Sequence, residues 1–314
     1  MAIVTMKRLS LLALKADKEN IYNALIRTAS VELKRCEDLP NCVVCDNSAD
    51  REVVAERVKR AEEAVSYVSE QVDRFNATHA KSQAVTPDKN SFARPKTEVN
   101  FDDFIGFGKK AAAVEREISD LFALRDKLAE LNGQLTQLNN EYANTLTYTK
   151  LPHPTTWYRD TECALVRLCL VPTSELADLT ELAEKFDTVC LEQIDASAST
   201  ALVAVVCHKA DADFLQQAAA LGLVQSGFVC DVLPSAKLQA LDSRIADVKK
   251  QTEQTTADVC NYSHKLGQWK VYIDYTELVG KKLAADGDLQ QTSSAFVLEA
   301  YYPADSEDKV LSAV

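Results

Sequence analysis

The stretch 234-PSAKLQALDSRIADVKKQTEQTTADVCNYSHKLGQWKVYIDYTELVGKKLAA-285 holds no proline after its first residue and repeats its apolar and small positions in steps of three and four. Leu238, Leu241, Ile245, Val248, Thr252, Thr255, Val259, Tyr262, Leu266, Trp269, Ile273 and Thr276 mark the seam. This alternation keeps one stripe of a helix turned toward a partner, so the stretch predicts a single coiled-coil helix. At about 1.5 Å per residue it would extend roughly 75 Å, well beyond an ordinary helix, and such a stripe requires partners along its length.

Two earlier stretches supply them. Val54, Val58, Ala61, Val65, Val68, Val72 and Phe75 keep the same alternation, as do Val114, Ile118 and Leu121. After one phase slip the second seam continues through Leu124, Leu128, Leu131, Leu135, Leu138 and Tyr142. Residues 47–76, 101–147 and 234–285 therefore read as three long helices of one rod, three-stranded at one end and mainly two-stranded farther out. Ser48 marks the start of the first, and Asn100 or Asp102 that of the second. Between them, residues 77–100 carry Pro87, Asn90, Ser91 and Pro95 without periodicity, which predicts a long flexible loop.

The flanking segments have a different grain. Ala2 to Leu14 reads as a strand, Asp17 as the cap of a short helix, and Val31 to Leu33 as a second strand. Ser294 to Tyr302 reads as another strand, followed by Pro303 and an acidic helix start. Residues 1–35 and 294–314 thus predict one α/β lobe of order βαββα. A final strand is missing by analogy with the segment 161–233, so the lobe reads as truncated and the chain as a fragment. That second segment reads strand, helix, strand, strand, helix, strand, the ferredoxin-like order, with Ser174 and Asp211 as helix caps and a last strand from Leu223 to Val232. The fold class is α+β: a long antiparallel helical bundle, a coiled-coil rod, with a ferredoxin-like α/β lobe at each end.

Composition narrows the function. The chain has 314 residues, is 46% hydrophobic and carries a formal charge of −12. An acidic balance excludes a nucleic-acid backbone as partner. Its nine cysteines are odd in number and lack framework spacing, which with no secretory signal points to reduced thiols. No apolar run of eighteen or more occurs, so nothing in the sequence reads as a membrane span.

Chemistry is sparse. Cys42-Val43-Val44-Cys45 is a CxxC with Cys36 nearby, but a zinc site needs a fourth ligand, and His79, His153, His208 and His264 are scattered. Gly106-Phe107-Gly108-Lys109-Lys110 lacks the full glycine spacing of a phosphate loop and a strand before it, so it reads as a helix start with two flexible residues. Gly133 reads as a close helix contact or a bend. Glu62 with Glu63 and Glu115 with Glu117 fall on solvated helix faces. Trp269, Tyr272 and Tyr275 suit an exposed docking patch, but the favoured reading puts Trp269 and Tyr272 in the core. No catalytic, cofactor-binding or metal residue is assigned, and the chain reads as a non-enzyme without cofactor or small-molecule substrate.

The opening Met1 to Leu14, followed by Lys15-Ala16-Asp17-Lys18-Glu19, a short helix and Val31-Glu32-Leu33, resembles the start of subunit I of V-type (archaeal-type) ATPases and ATP synthases, the equivalent of the eukaryotic a subunit. Phe296 to Pro303 with the acidic residues after it resembles that family's strand and proline motif at the end of its cytoplasmic half. The resemblance implies a stator subunit of an ion-transporting rotary complex. In that family the cytoplasmic half anchors peripheral stalks of E and G-type subunits, and a membrane half, absent here, meets the other membrane-sector subunits. It also implies a place at the cytoplasmic face of the membrane, and leaves the coupling ion (proton or sodium) and the direction of ATP turnover open. A cytoplasmic coiled-coil tether is the alternative, and a thiol oxidoreductase using Cys42 and Cys45 a third reading without a thioredoxin-like context.

Overall fold

The structure is a computed structural model describing residues 4–78 and 99–314. In chain order its elements are β1 (Met6–Leu14), α1 (Lys18–Thr28), β2 (Glu32–Lys34), α2 (Ser48–Thr78), α3 (Phe101–Ile105), α4 (Gly108–Leu146), β3 (Ala164–Pro172), α5 (Leu176–Ala183), β4 (Val189–Ala196), β5 (Thr200–His208) and α6 (Asp213–Ala220). There follow β6 (Val224–Gln225), α7 (Pro234–Cys260), α8 (Leu266–Asp286), β7 (Gln290–Gln291), β8 (Ala295–Pro303) and α9 (Glu307–Ala313). The result is a mixed helix and sheet protein with two antiparallel sheets. The chain divides into two compact units, Met1–Asp126 with Thr256–Val314, and Lys127–Thr255, and the division falls inside α4 and α7. Most of the expected loop, residues 79–98, lies outside the described residues.

The organising stretch is helical from Pro234 to Asp286, but not as one α-helix: a 3-10 turn at Asn261–Lys265 separates α7 from α8. Asn261, Tyr262, Ser263 and His264 are weak helix formers, and the His264 ring turns back on the carbonyl of Asn261. The seam nevertheless survives, with all twelve of its residues buried or half-buried. Its buried threonines are tolerated because each hydroxyl donates to a carbonyl four residues earlier, Thr255 to Gln251 at 2.8 Å and Thr276 to Tyr272 at 2.7 Å.

In the first unit α2 packs along α8, with Ala61, Ala64, Val68 and Val72 buried. The expected second helix is two: Asn100 caps α3 by accepting from Asp102 N at 2.9 Å, the chain breaks at Gly106 and Phe107, and α4 begins at Gly108. The sheet runs in the order β1-β8-β2, with β7 also on β8. β1 and β8 pair along their full length, from Met6↔Pro303 to Leu14↔Ala295. Tyr22 and Leu25 of α1 and Val310 of α9 pack with Phe296, Leu298 and Ala300 on one face. This sheet has a fourth strand, but it is β7, in a hairpin with β8, rather than a strand following α9.

In the second unit the sheet order is β4-β5-β3-β6, antiparallel throughout. One face holds Cys169, Val171, Val203 and Val205 against Leu179 of α5 and Phe214 of α6. Leu168, Leu202 and Ala204 on the other face are covered by Tyr148 and Leu151. The helical part is joined by Leu138 against Leu241 and Ile245, with Lys237 on Glu141 at 2.7 Å.

Several local expectations are corrected. The last strand of the second unit is two residues long, because Ser226 Oγ takes the Phe228 amide and Thr155 takes the Cys230 amide, which leads the chain off the sheet. Asp17 stands at an N-cap position without capping, being the last residue of a 3-10 turn. Ser174 bonds to Glu175 and Asp211 to Thr188, so neither caps. Ser48 is itself helical, and its amide donates to Asp46, whose carboxyl this bond holds below the usual range.

Candidate functional site

The densest polar and aromatic constellation lies in the first unit, where α4 meets α8. Trp269 and Tyr272 stand three apart on α8 and so share one face. Both are buried, Trp269 at 0% exposure. Trp269 Nε1 donates to Glu117 Oε2 at 3.1 Å and Lys265 Nζ donates to Glu117 Oε1 at 2.7 Å. Burial opposes ionisation of Glu117, but the bonds from Lys265 and Trp269 outweigh it and hold the carboxyl below its usual range. The Tyr272 hydroxyl donates to Glu115 Oε1 at 2.9 Å, and Arg57 of α2 reaches the same oxygen at 3.4 Å. Burial first, then the bond to Glu115, pushes Tyr272 up to about 12.

Glu115 and Glu117, whose spacing predicts a solvated face, are only half-buried, and their carboxylates are engaged by side chains of α2 and α8 and by Lys265. They form a polar border along the aromatic seam. The two-to-one reach of Glu117 fixes how α8 is set along α4, since a slide of either helix breaks both bonds together. Chemically the arrangement is a clamp: Lys265, Trp269 and Tyr272 donate, and the carboxylates of Glu115 and Glu117 accept.

Tyr275 completes it. Its ring lies 5.9 Å from that of Phe107 and 6.2 Å edge-on from that of Phe104, and a Cβ on Gly108 would stand 2.5 Å from the Tyr275 hydroxyl oxygen. Gly106 ends α3 and Gly108 opens α4, so the glycines shape a helix junction and the tyrosine needs the second of them. Trp269 and Tyr272 are core, as the favoured reading has it.

The other candidates are dispersed. Cys36 is buried, its thiol toward the Val297 carbonyl at 3.3 Å, whereas Cys42 is half-buried and Cys45 exposed. Among the described residues no three His, Cys, Asp or Glu side chains are grouped to hold a metal ion. His153 stacks on Trp157 and His208 accepts from the Ala210 amide, while His79 lies outside the described residues. Gly133 is corrected in one respect: a Cβ there would meet open space, so it marks no close helix contact. Glu63 is exposed and pairs with Arg125 at 2.8 Å.

Two surfaces have no counterpart in the sequence reading. Trp157 is 66% exposed, on a segment that Thr155 stitches to the strip bearing exposed Val229 and Val232. Pro152 and Pro154 place it outside any periodic pattern, and periodicity is the signal that separates buried from exposed aromatics. The other surface is the outer side of β1, with Leu12 at 74% and Leu14 at 58% exposure. No helix among the described residues is long and apolar enough to cross a membrane.

No protein-family model matches the chain, and no curated protein matches it. Among solved structures it is similar to one described as the crystal structure of the cytoplasmic N-terminal domain of subunit I, homolog of subunit a, of V-ATPase. The identity is 14%, over 98% of this chain and 96% of that one, with a TM-score of 0.42.

Proposed function

We propose that this chain is a stator component of a V-type rotary ATPase or ATP synthase, a non-catalytic part that anchors peripheral stalks of E and G-type subunits. The observation that carries the reading joins sequence to fold. The two stretches that resemble subunit I stand at opposite ends of the chain, yet β1 and β8 within them are partners residue for residue from Met6↔Pro303 to Leu14↔Ala295. Motifs nearly three hundred residues apart are thereby parts of one sheet.

The finer fold reading is a long antiparallel helical bundle carrying two ferredoxin-like α/β lobes. In the second unit the strand order β4-β5-β3-β6, with α5 and α6 on one face, supports it. Paired helices with buried seams resist bending, which suits transmission of force. The stalk contacts belong to the lobes, which offer sheet edges and loops, whereas the helices present mainly charged outer faces.

Calorimetric titration with purified E and G-type subunits tests this. The parent chain is expected to bind. A variant whose residues 161–233 are replaced by a short helical turn, shown by circular dichroism to keep its helices, is expected to bind more weakly. Absence of binding by every variant would contradict the stator reading and favour a coiled-coil tether.

A further inference from the structure

The connector from β2 to α2, residues 35–47, is tied down at both ends and lightly held in its middle. Upstream, the Cys36 amide donates to the Asp288 carbonyl at 3.0 Å, and Asp38 accepts from Gln290 Nε2 at 3.1 Å. Downstream, Asn47 Nδ2 donates to the Leu283 carbonyl. Between these ties Val43 and Gln291 exchange both backbone bonds, at 2.9 and 3.0 Å, so Val43 stands as a one-residue strand against β7. Side chains add little to that hold, because Val43 is 66% and Val44 41% exposed. Gln291 is itself buried with its Nε2 unpartnered, so the closed bridge carries the cost of an unmet donor.

Two free thiols flank the bridge, Cys42 half-buried and Cys45 exposed. A disulfide needs Cα atoms about 4.4–6.8 Å apart. Between residues three apart, that separation calls for a turn centred on Val43 and Val44, with the first of them helical or the second in the left-handed region. Neither condition is met: Val43 pairs as a strand residue, and among the described residues other than glycine only Ala29 and Asn41 have positive φ. Bridge and disulfide therefore exclude each other, and whatever forms the second must break the first.

We propose that Cys42 and Cys45 are a thiol–disulfide switch, oxidised by a small-molecule disulfide such as that of glutathione, and that their bond releases Val43 from β7. The exposed Cys45 thiolate attacks one sulfur of the glutathione disulfide, and one glutathione thiolate leaves. The Cys42 thiolate then attacks the Cys45 sulfur of the mixed disulfide, and the second glutathione leaves. Two protein thiols are oxidised, one disulfide is reduced to two thiols, and the protons of Cys42 and Cys45 pass to the departing thiolates. Reduction restores the bridge. Cys36 takes no part, its thiol being buried toward the Val297 carbonyl. The proposal does not rest on the stator reading.

The test uses the full chain with the exposed Cys163 and Cys190 replaced by serine, equilibrated with glutathione and its disulfide at a series of ratios. Peptide mapping identifies the bonds formed, and amide exchange follows Val43 and Gln291, with β8 and α8 as controls for folding. A Cys42–Cys45 disulfide is expected at oxidising ratios, with exchange at Val43 and Gln291 about tenfold or more faster, restored on reduction. Adding Cys42→Ser with Cys45→Ser is expected to make exchange there independent of the ratio. A Cys42–Cys45 disulfide with unchanged exchange would overturn the proposal. So would a bond from either residue to Cys36, glutathione held stably on Cys45 without an internal bond, or no oxidation of the pair at any ratio.

Discussion

Trp269 Nε1 lies 3.1 Å from Glu117 Oε2, joining the indole of α8 to a carboxylate of α4. Glu117 has a folded-state pKa below the ordinary 4.5, so its stabilisation is present above that value and is lost as pH falls through the lower folded one. Glu117→Gln should cost about 1–3 kcal/mol at pH 7, since it weakens two charge-assisted hydrogen bonds. The gap between variant and parent should narrow as pH falls below 4.5. Urea unfolding of both proteins at several pH values checks this; a gap independent of pH would contradict it.

Much of the helical framework is legible in the sequence, because an apolar stripe at 3.6-residue spacing has no other cheap burial. Every residue of the seam from Leu238 to Thr276 is at least half-buried. Periodicity says which residues face a partner, but not what the residues beside the stripe do, and so it misses Glu115 and Glu117. The 3-10 turn at Asn261–Lys265 escapes it as well, because the seam residues on both sides of the turn stay buried. Caps fail for a related reason: Asp211 and Ser174 find other side chains as partners, a choice made by tertiary neighbours.

Gly108→Ala should destabilise the first unit by about 1–3 kcal/mol, since its Cβ would strike the Tyr275 hydroxyl. Tyr275→Phe removes the struck oxygen. The double variant should be less destabilised than the two single changes added together, and a thermodynamic cycle from denaturant unfolding measures the difference.

Cys42→Ser with Cys45→Ser should leave stability within about 0.5 kcal/mol of the parent, because one thiol is exposed and the other half-buried. Denaturant midpoints and metal analysis check this. Loss of bound zinc together with unfolding would contradict it.

The chain has two tryptophans, one exposed in the second unit and one buried in the first. Trp157→Phe should leave blue-shifted emission poorly quenched by iodide, and Trp269→Phe the reverse. Stern–Volmer slopes of the two variants read the contrast directly.

The stator reading is tested most directly by amide exchange across the whole chain with and without an E and G-type stalk complex. The account predicts slower exchange in the sheet units, within residues 164–233 or in β1, β8 and their helices, with little change along α2. Protection confined to the long helices, or none at a stalk concentration that saturates an authentic subunit I, would contradict it.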